Sequence, residues 1–457
     1  MISPARIERV LAVPAVGGYY VEDLAALQAR PMPVPDRYTA TPLTPGFEAV
    51  REVAEAVTVG LVLDTGDVAW GDCVAVAYAG KAGRDPLFRA EAGLSSIART
   101  VVPALTGREL TGFREPAAEL DALLDPPAAS QAGHSVSRRE FLASPLRLFR
   151  PAQAELTSQQ RLHTAIRYGV SQALLQAVAL AFGVTMAEVI AGEWGLPRPD
   201  APVPIHAQSG SERVLNVDKM IARRVASLPH ALVDDIPAQL GREGDTLVQY
   251  ARWLKERVRQ LGGEAYRPVI HLDVHGAIGQ VFDNNLGRVL GLLHALELAV
   301  QPYALRVESP LIMDSRQAQI EAMKTLRDYV RFRKMTVALV ADEWANTLED
   351  VRAFVQAGAA DLIQIKMPDL GSVHNSVEAV LACREGGVGA FLGGSCAETD
   401  LSARVSVHVA LATRPDMILA KPGMGVDEGV MIVQNEMTRT LANLQSIGPR
   451  SRPQRQG

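Results

Sequence analysis

The chain has 457 residues, 48% of them hydrophobic and 21% charged, with a formal net charge of −5. That composition provides for a sizeable core and argues against nucleic acid or an anionic membrane as the main partner. The length suits two or three domains of ~100–200 residues each, or one large barrel with a smaller companion. Three cysteines, Cys73, Cys383 and Cys396, form neither a CxxC pair nor a Cys/His ligand pattern, so a reduced, cytoplasmic setting is expected. The opening MISPARIERVLAVPAVGGYY fits neither a secretory signal nor a transit peptide, and no apolar run of ~18 residues is expected to span a membrane.

The first ~120 residues read as mixed α+β. The runs Val57 to Leu63 and Val68 to Val76 flank Asp64-Thr65-Gly66-Asp67, a hairpin signal because Asp and Gly tolerate the dihedrals of a tight turn. A helix is expected from Glu91 to about Leu105. From about Asp125 to Ala154 the chain is rich in Pro, Ser and Ala without a sustained period, which predicts an irregular connector and a domain boundary. Thr164 to Ala181 reads as a long apolar helix. From Val203 onward, short β-branched runs alternate with helical stretches: VPIHAQ at 203, ALVDDI at 231, VIHLDV at 269, LRVESP at 305, TVALVADE at 336, LIQIKMP at 362, AFLGGS at 390 and MILAKP at 417. Eight such strands in about 220 residues predict a parallel (β/α)8 barrel, with active-site groups at the C-terminal strand ends. An open doubly wound sheet would instead need a glycine-rich phosphate turn, and neither GxGxxG nor GxxxxGK[ST] occurs.

Polar residues that end these strands are the chemical candidates. Asp273, Glu308 and Asp342 fall on the third, fourth and fifth strands, 35 (273 to 308) and 34 (308 to 342) residues apart. One strand-helix unit separates each from the next, so a barrel sets them side by side on one rim. Any one of them could cap a helix or pair with an arginine. Three in phase repel one another unless a cation sits between them, and such an oxygen donor set suits Mg²⁺. On the sixth strand Gln364 and Lys366 lie two apart and project to the same side. A lysine there could snorkel to the rim or pair with Asp369. Partly desolvated beside a metal, it would lose basicity and accept a proton near neutral pH.

This constellation resembles the metal triad of the enolase superfamily, and within it the chain resembles methylaspartate ammonia-lyase. The likeness runs from about Ala165 to Ala442 on the strings AIRYGVSQALL, AQSG, VDKMI, LPHAL, ADEW, QIKMPDLG, GGSCAETD, VHVAL and KPGMGVDEG. It implies a barrel over residues 161–427 behind an N-terminal α+β capping domain, residues 1–160. Residues 428–457 would form a C-terminal helix and tail packing back onto the cap. It makes Asp273, Glu308 and Asp342 the Mg²⁺ ligands and Lys366 the base that takes the C3 proton, with His230 assisting or serving the other stereoisomer. Gln208, Gln364, Ser395 and Cys396 would hold the substrate's carboxylates and amine, and Leu419 and Met424 would surround the C3 substituent. The implied reaction passes through a metal-stabilised enediolate, expels ammonia and leaves mesaconate when 3-methylaspartate is the substrate. A homodimer and activation by K⁺ are implied in the same way.

The chain also departs from that pattern. His206 stands where better-known members have Phe, Phe391 where they have Tyr, Ser395 where they have Thr and His275 where they have Tyr. The resemblance makes His206 and Phe391 pocket-lining, so the cavity around C3 is expected to be more polar. The strand pattern, meanwhile, puts His230 at the opening of the second strand, the wrong end of the barrel for catalysis. Two alternatives stand beside the lyase: a superfamily racemase or acid-sugar dehydratase, and a non-catalytic barrel. The former typically carries Lys-x-Lys on the second strand, where this chain has VDDIP.

Overall fold

A computed structural model describes residues 5–30, 32–80, 82–126, 160–210, 212–424 and 426–446. Most of the connector expected between Asp125 and Ala154 lies outside the described residues. Three antiparallel strands, β1 (Ile7–Glu22), β2 (Arg51–Leu63) and β3 (Val68–Cys73), form the N-terminal sheet in that order. The hairpin between β2 and β3 closes on the expected turn, with the Leu63 amide donating to the Asp67 carbonyl at 2.9 Å. Along β2 every second residue from Val57 to Leu63 is fully buried, which is the period that a half-buried strand imposes. Helical turns run from Ala90 through Leu105, as the apolar spacing predicts.

What covers this sheet is α1 (Thr164–Phe182), which packs chiefly on β3 and also on β2. The approach is close because both surfaces carry glycine: a Cβ on Gly71 would stand 2.7 Å from the Ala173 amide nitrogen. A division of the chain at residue 160 therefore cuts the cap's own core, and α1 belongs with the cap sheet. By length and composition α1 could cross a membrane, contrary to the expectation that no stretch could, but 78% of its apolar window is buried inside the protein. Its apolar surface is consumed by packing.

Eight parallel strands close into a barrel: β4 (Ile205–His206), β5 (Ser227–His230), β6 (Val269–Asp273), β7 (Leu305–Glu308), β8 (Ala338–Ala341), β9 (Leu362–Ile365), β10 (Gly389–Leu392) and β11 (Met417–Leu419). Seven coincide with the predicted runs. The second does not: the strand is Ser227–His230, and the expected ALVDDI segment follows it as a turn across the barrel mouth, with the Val233 amide bonded to the Asp273 carbonyl at 3.1 Å. His230 therefore ends its strand rather than opening it, on the same rim as the carboxylates. The helices between strands bury single stripes, as in Asp245–Gly262, where Leu247, Ala251, Leu254 and Val258 face inward.

The last helix also differs from expectation. α2 (Leu215–Ala222), α3 (Asp400–Thr413) and α4 (Val426–Ser446) pack together on the barrel wall, with most α4 contacts made to α3. Asp427 at the start of α4 pairs with Lys219 and Arg223, and Glu436 pairs with Arg404 at 3.0 Å and His408 at 3.3 Å. An amphipathic helix must bury a face, and here the barrel wall rather than the cap provides the partner.

Candidate active site

The strand ends bring the predicted groups to one cavity of about 80 Å³ at the C-terminal mouth, beneath the cap. Asp273 and Glu308 are the final residues of adjacent strands and stand opposite each other in register. Asp342 and Lys366 fall one residue beyond β8 and β9. The ring order puts β5 and β9 four strands apart, so His230 and Lys366 face the mouth from opposite sides.

The cavity is lined by Gln208, His230, Asp273, Gln364 and Lys366, and on its other walls by Phe391, Ser395, Cys396, Leu419 and Met424. Glu308 and Asp342 sit one contact deeper. Gln364 donates its amide to Glu308 Oε1, and Lys366 Nζ donates to Asp342 Oδ2 at 2.6 Å. The other Glu308 oxygen contacts His271 Nε2 at 2.7 Å, with both side chains fully buried. Ser395 Oγ accepts the amide of Ala77 from the cap at 3.1 Å, and Gln208 donates to the Gly423 carbonyl at 3.0 Å.

Burial and mutual repulsion dominate the electrostatics of the acids. Burial, then the nearby Asp342, push the Asp273 carboxyl up to about 8. Burial, then Asp273 and Asp342, lift Glu308 well above the usual carboxylate range. Buried acids this close together ionise jointly only where a cation offsets their charge. His230, Asp273 and Glu308 place one donor atom each within 4.8 Å of one another, while the Asp342 carboxylate is turned to Lys366. Carboxylate oxygens suit Mg²⁺, so the residues present fit the implied ion. At Lys366 two influences oppose each other. Burial opposes its charge, yet the field of Asp342 and its neighbouring carboxylates holds it above the ordinary lysine range. Burial, followed by Lys366 and His275, pushes His230 down to about 3, leaving a neutral imidazole 3.4 Å from Asp273.

His206 is not in the cavity wall. It is fully buried, contacts Ser227 Oγ through Nδ1 at 2.9 Å and packs its ring on Phe391 and His271, with centroids 5.2 and 4.6 Å away. It lines the barrel interior beneath Phe391, which alone of the two reaches the cavity. His275 does reach it, with Nδ1 3.3 Å from Glu343 and its ring tilted against Tyr78.

Several lining residues come from the cap and carry no sequence signal: Tyr19, Tyr20, Glu22, Tyr78 and Arg84. Arg84 reaches into the barrel to Asp369 at 2.7 Å and Glu343 at 2.8 Å, with Asp342 at 3.9 Å. Burial works against the charge of Glu343, but Arg84 holds its carboxyl down to about 2. Glu22 is held by Arg37 at 3.1 Å, which also bridges to Asp234 on the barrel. His271 was open to detection, since it lies two before Asp273 and shares its face.

Comparison with known proteins decides between the readings of this site. Residues 5–195 match the family model for the methylaspartate ammonia-lyase N-terminus, and residues 199–446 match that for its C-terminus. The chain belongs to the methylaspartate ammonia-lyase family. The boundary between the two family models falls after α1, in keeping with the packing of that helix on the cap. Methylaspartate ammonia-lyase 2 of Carboxydothermus hydrogenoformans is 45% identical over 444 residues, covering 97% of this chain and 99% of its own. The Mg complex of β-methylaspartase from Clostridium tetanomorphum is 41% identical with a TM-score of 0.83, covering 96% of this chain and 99% of that one. The Citrobacter amalonaticus methylaspartate ammonia-lyase containing (2S,3S)-3-methylaspartic acid is 40% identical with a TM-score of 0.86, covering 96% and 100%. Family membership sets aside the racemase, dehydratase and non-catalytic alternatives.

Proposed function

We propose that this protein eliminates ammonia from 3-methylaspartate, or a closely related 3-substituted aspartate, to give mesaconate or the analogous unsaturated dicarboxylate. The observation that carries this reading is the placement of Lys366 and His230 on opposite sides of one cavity, beside the carboxylates Asp273, Glu308 and Asp342. A substrate C3 between them presents its hydrogen to one base or the other according to its configuration. The Lys366 amine takes the proton, the C3–H electron pair becomes the C2–C3 double bond, and nitrogen leaves with the C2–N pair as ammonia. Neutral His230 does the same from the opposite face.

Asp273, Glu308 and Asp342 would hold Mg²⁺, which supplies positive charge to the substrate carboxylate next to C3 and offsets the charge of the three acids. With those acids offset, burial is the main influence left on Lys366, and burial favours the free amine that a base requires. Gln208, Ser395, Cys396 and Gln364 bind the carboxylates and the amine, while Phe391, Leu419 and Met424 bound the C3 substituent. The reading carries a homodimer and K⁺ activation with it, to be checked by light scattering and by exchanging K⁺ for a larger cation. Three buried free cysteines suit a reducing, cytoplasmic setting. The test is to incubate purified protein with both 3-methylaspartate diastereomers, aspartate and 3-ethylaspartate, with and without Mg²⁺, and follow ammonia and the unsaturated product. Ammonia release only with Mg²⁺, and from the methylated substrate, supports the proposal.

A further inference from the structure

Behind the loop that carries Ser395 and Cys396 lies an ion pair that touches neither the cavity nor the carboxylate cluster. Lys421, two residues past β11, and Glu398 are both fully buried, with Nζ 2.9 Å from Glu398 Oε2. Lys421 Nζ also donates to the Gly393 carbonyl at 2.9 Å. Glu398 Oε2 accepts the Ser395 amide at 2.9 Å, and its Oε1 accepts the hydroxyl of Tyr168, on α1 of the cap, at 2.6 Å. Between the two anchors runs Gly394 at φ 151°, where any Cβ would collide with the Glu398 carboxylate and the Lys421 ammonium. The chain is thus drawn tightly around the pair. The cap closes the other side, where the Gly18 amide donates to the Ala397 carbonyl at 3.0 Å.

We propose that the Lys421–Glu398 pair, tied to Tyr168, is a positioning device that presets the Gly394–Cys396 loop to receive the substrate carboxylate remote from the cation. The pair fixes the backbone on both sides of Gly394, up to the amide of Ser395, from below, while the cavity sees only the loop it shapes. A pair kept only for stability need not be bonded to the Gly393 carbonyl and the Ser395 amide, which flank the one residue it crowds. The inference rests on the lyase reading for the identity of the ligand, and on the geometry alone for the order of the loop.

The test uses Glu398→Gln, Lys421→Met and the double variant, which leaves no buried charge unpaired and so guards against simple misfolding. Three readouts are taken on the full-length protein: kcat and KM with 3-methylaspartate, the Mg²⁺ dissociation constant by calorimetry without substrate, and hydrogen exchange of the segment spanning residues 393–399. We expect KM to rise about tenfold or more in all three variants, kcat to stay within roughly threefold and Mg²⁺ affinity within about twofold, with faster exchange in the loop. A double variant that regains stability and keeps the raised KM separates positioning from support. A double variant with wild-type KM, or KM and Mg²⁺ dissociation constant rising together, overturns the proposal. If wild type releases no ammonia from any substrate tested, the lyase reading fails on its own. Loop exchange then decides the matter, and unchanged exchange in the variants overturns the inference.

Discussion

Replacing Arg84 with methionine should be among the most damaging single changes outside the catalytic groups. Its guanidinium, only 2% exposed, is the cation nearest to both Glu343 and Asp369. Removing one partner of a buried pair costs about 3–5 kcal/mol, and here two carboxylates lose the same partner. The loss should still stay near that range rather than double, because burial already lifts Asp369 above the ordinary carboxyl value and it can take up a proton. With an unfolding entropy of about 2.1 cal/mol/K per residue, a chain of 457 residues should lose about 3–5 °C in melting midpoint. Urea denaturation followed by circular dichroism measures it, and a cycle with Asp369→Asn sharpens it. Asp369→Asn should destabilise the wild type and recover part of the loss in the Arg84→Met background. A loss below about 1 kcal/mol, the range of exposed ion pairs, would refute the view that this cap arginine is a buried anchor of the barrel rim.

Lys366→Ala should lower both ammonia release and C3–H exchange with solvent deuterium by ~10²–10⁴-fold, whereas His230→Ala should affect one diastereomer more than the other; proton NMR of the substrate pool reports both. His206→Phe should leave the ranking of 3-methyl- over 3-ethylaspartate within about threefold, because the ring does not reach the cavity, whereas Phe391→Ala should shift it by ~1–3 kcal/mol in kcat/KM. Glu436, although partly desolvated, is held down to about 2 by hydrogen bonds from His408, Arg439 and Arg404. Its folded value lies below the ~4.3 of an unfolded glutamate, so its stabilisation is present above that pH and is lost as pH falls toward 2. Wild type and Glu436→Gln should accordingly differ in urea stability at pH 6 and converge in strong acid.

The carboxylates and Lys366 were legible because a strand-helix unit repeats at nearly constant length, so residues one unit apart share a rim. His230 was not legible from the residues, because the true strand Ser227–His230 contains Ser, Pro and His, while the neighbouring ALVDDI has the apolar, β-branched look of a strand. Pairing decides it: Pro229 and His230 are in register with His271 and Leu272, a tertiary fact that local propensity does not carry. Resemblance alone put His230 at the active face. His206 differs the other way: the resemblance makes it pocket wall, whereas its side chain fills the barrel one layer below. Arg84, Glu22 and Tyr78 lie 146 residues (84 to 230) or more before His230, and only the docking of cap on barrel brings them in. The last helix announced a face to bury but not its partner, which Asp427 and Glu436 select through cations on α2 and α3.

Lys366 and His230 would deaminate a 3-substituted aspartate beside carboxylates that hold Mg²⁺. Ammonia and mesaconate should be measured from 3-methylaspartate with protein stripped by EDTA, then with Mg²⁺ restored, in wild type and in Glu308→Gln. The stripped protein should show no turnover and recover fully on adding Mg²⁺, whereas Glu308→Gln should fail to recover. Turnover that survives complete removal of divalent cations would contradict that dependence on Mg²⁺.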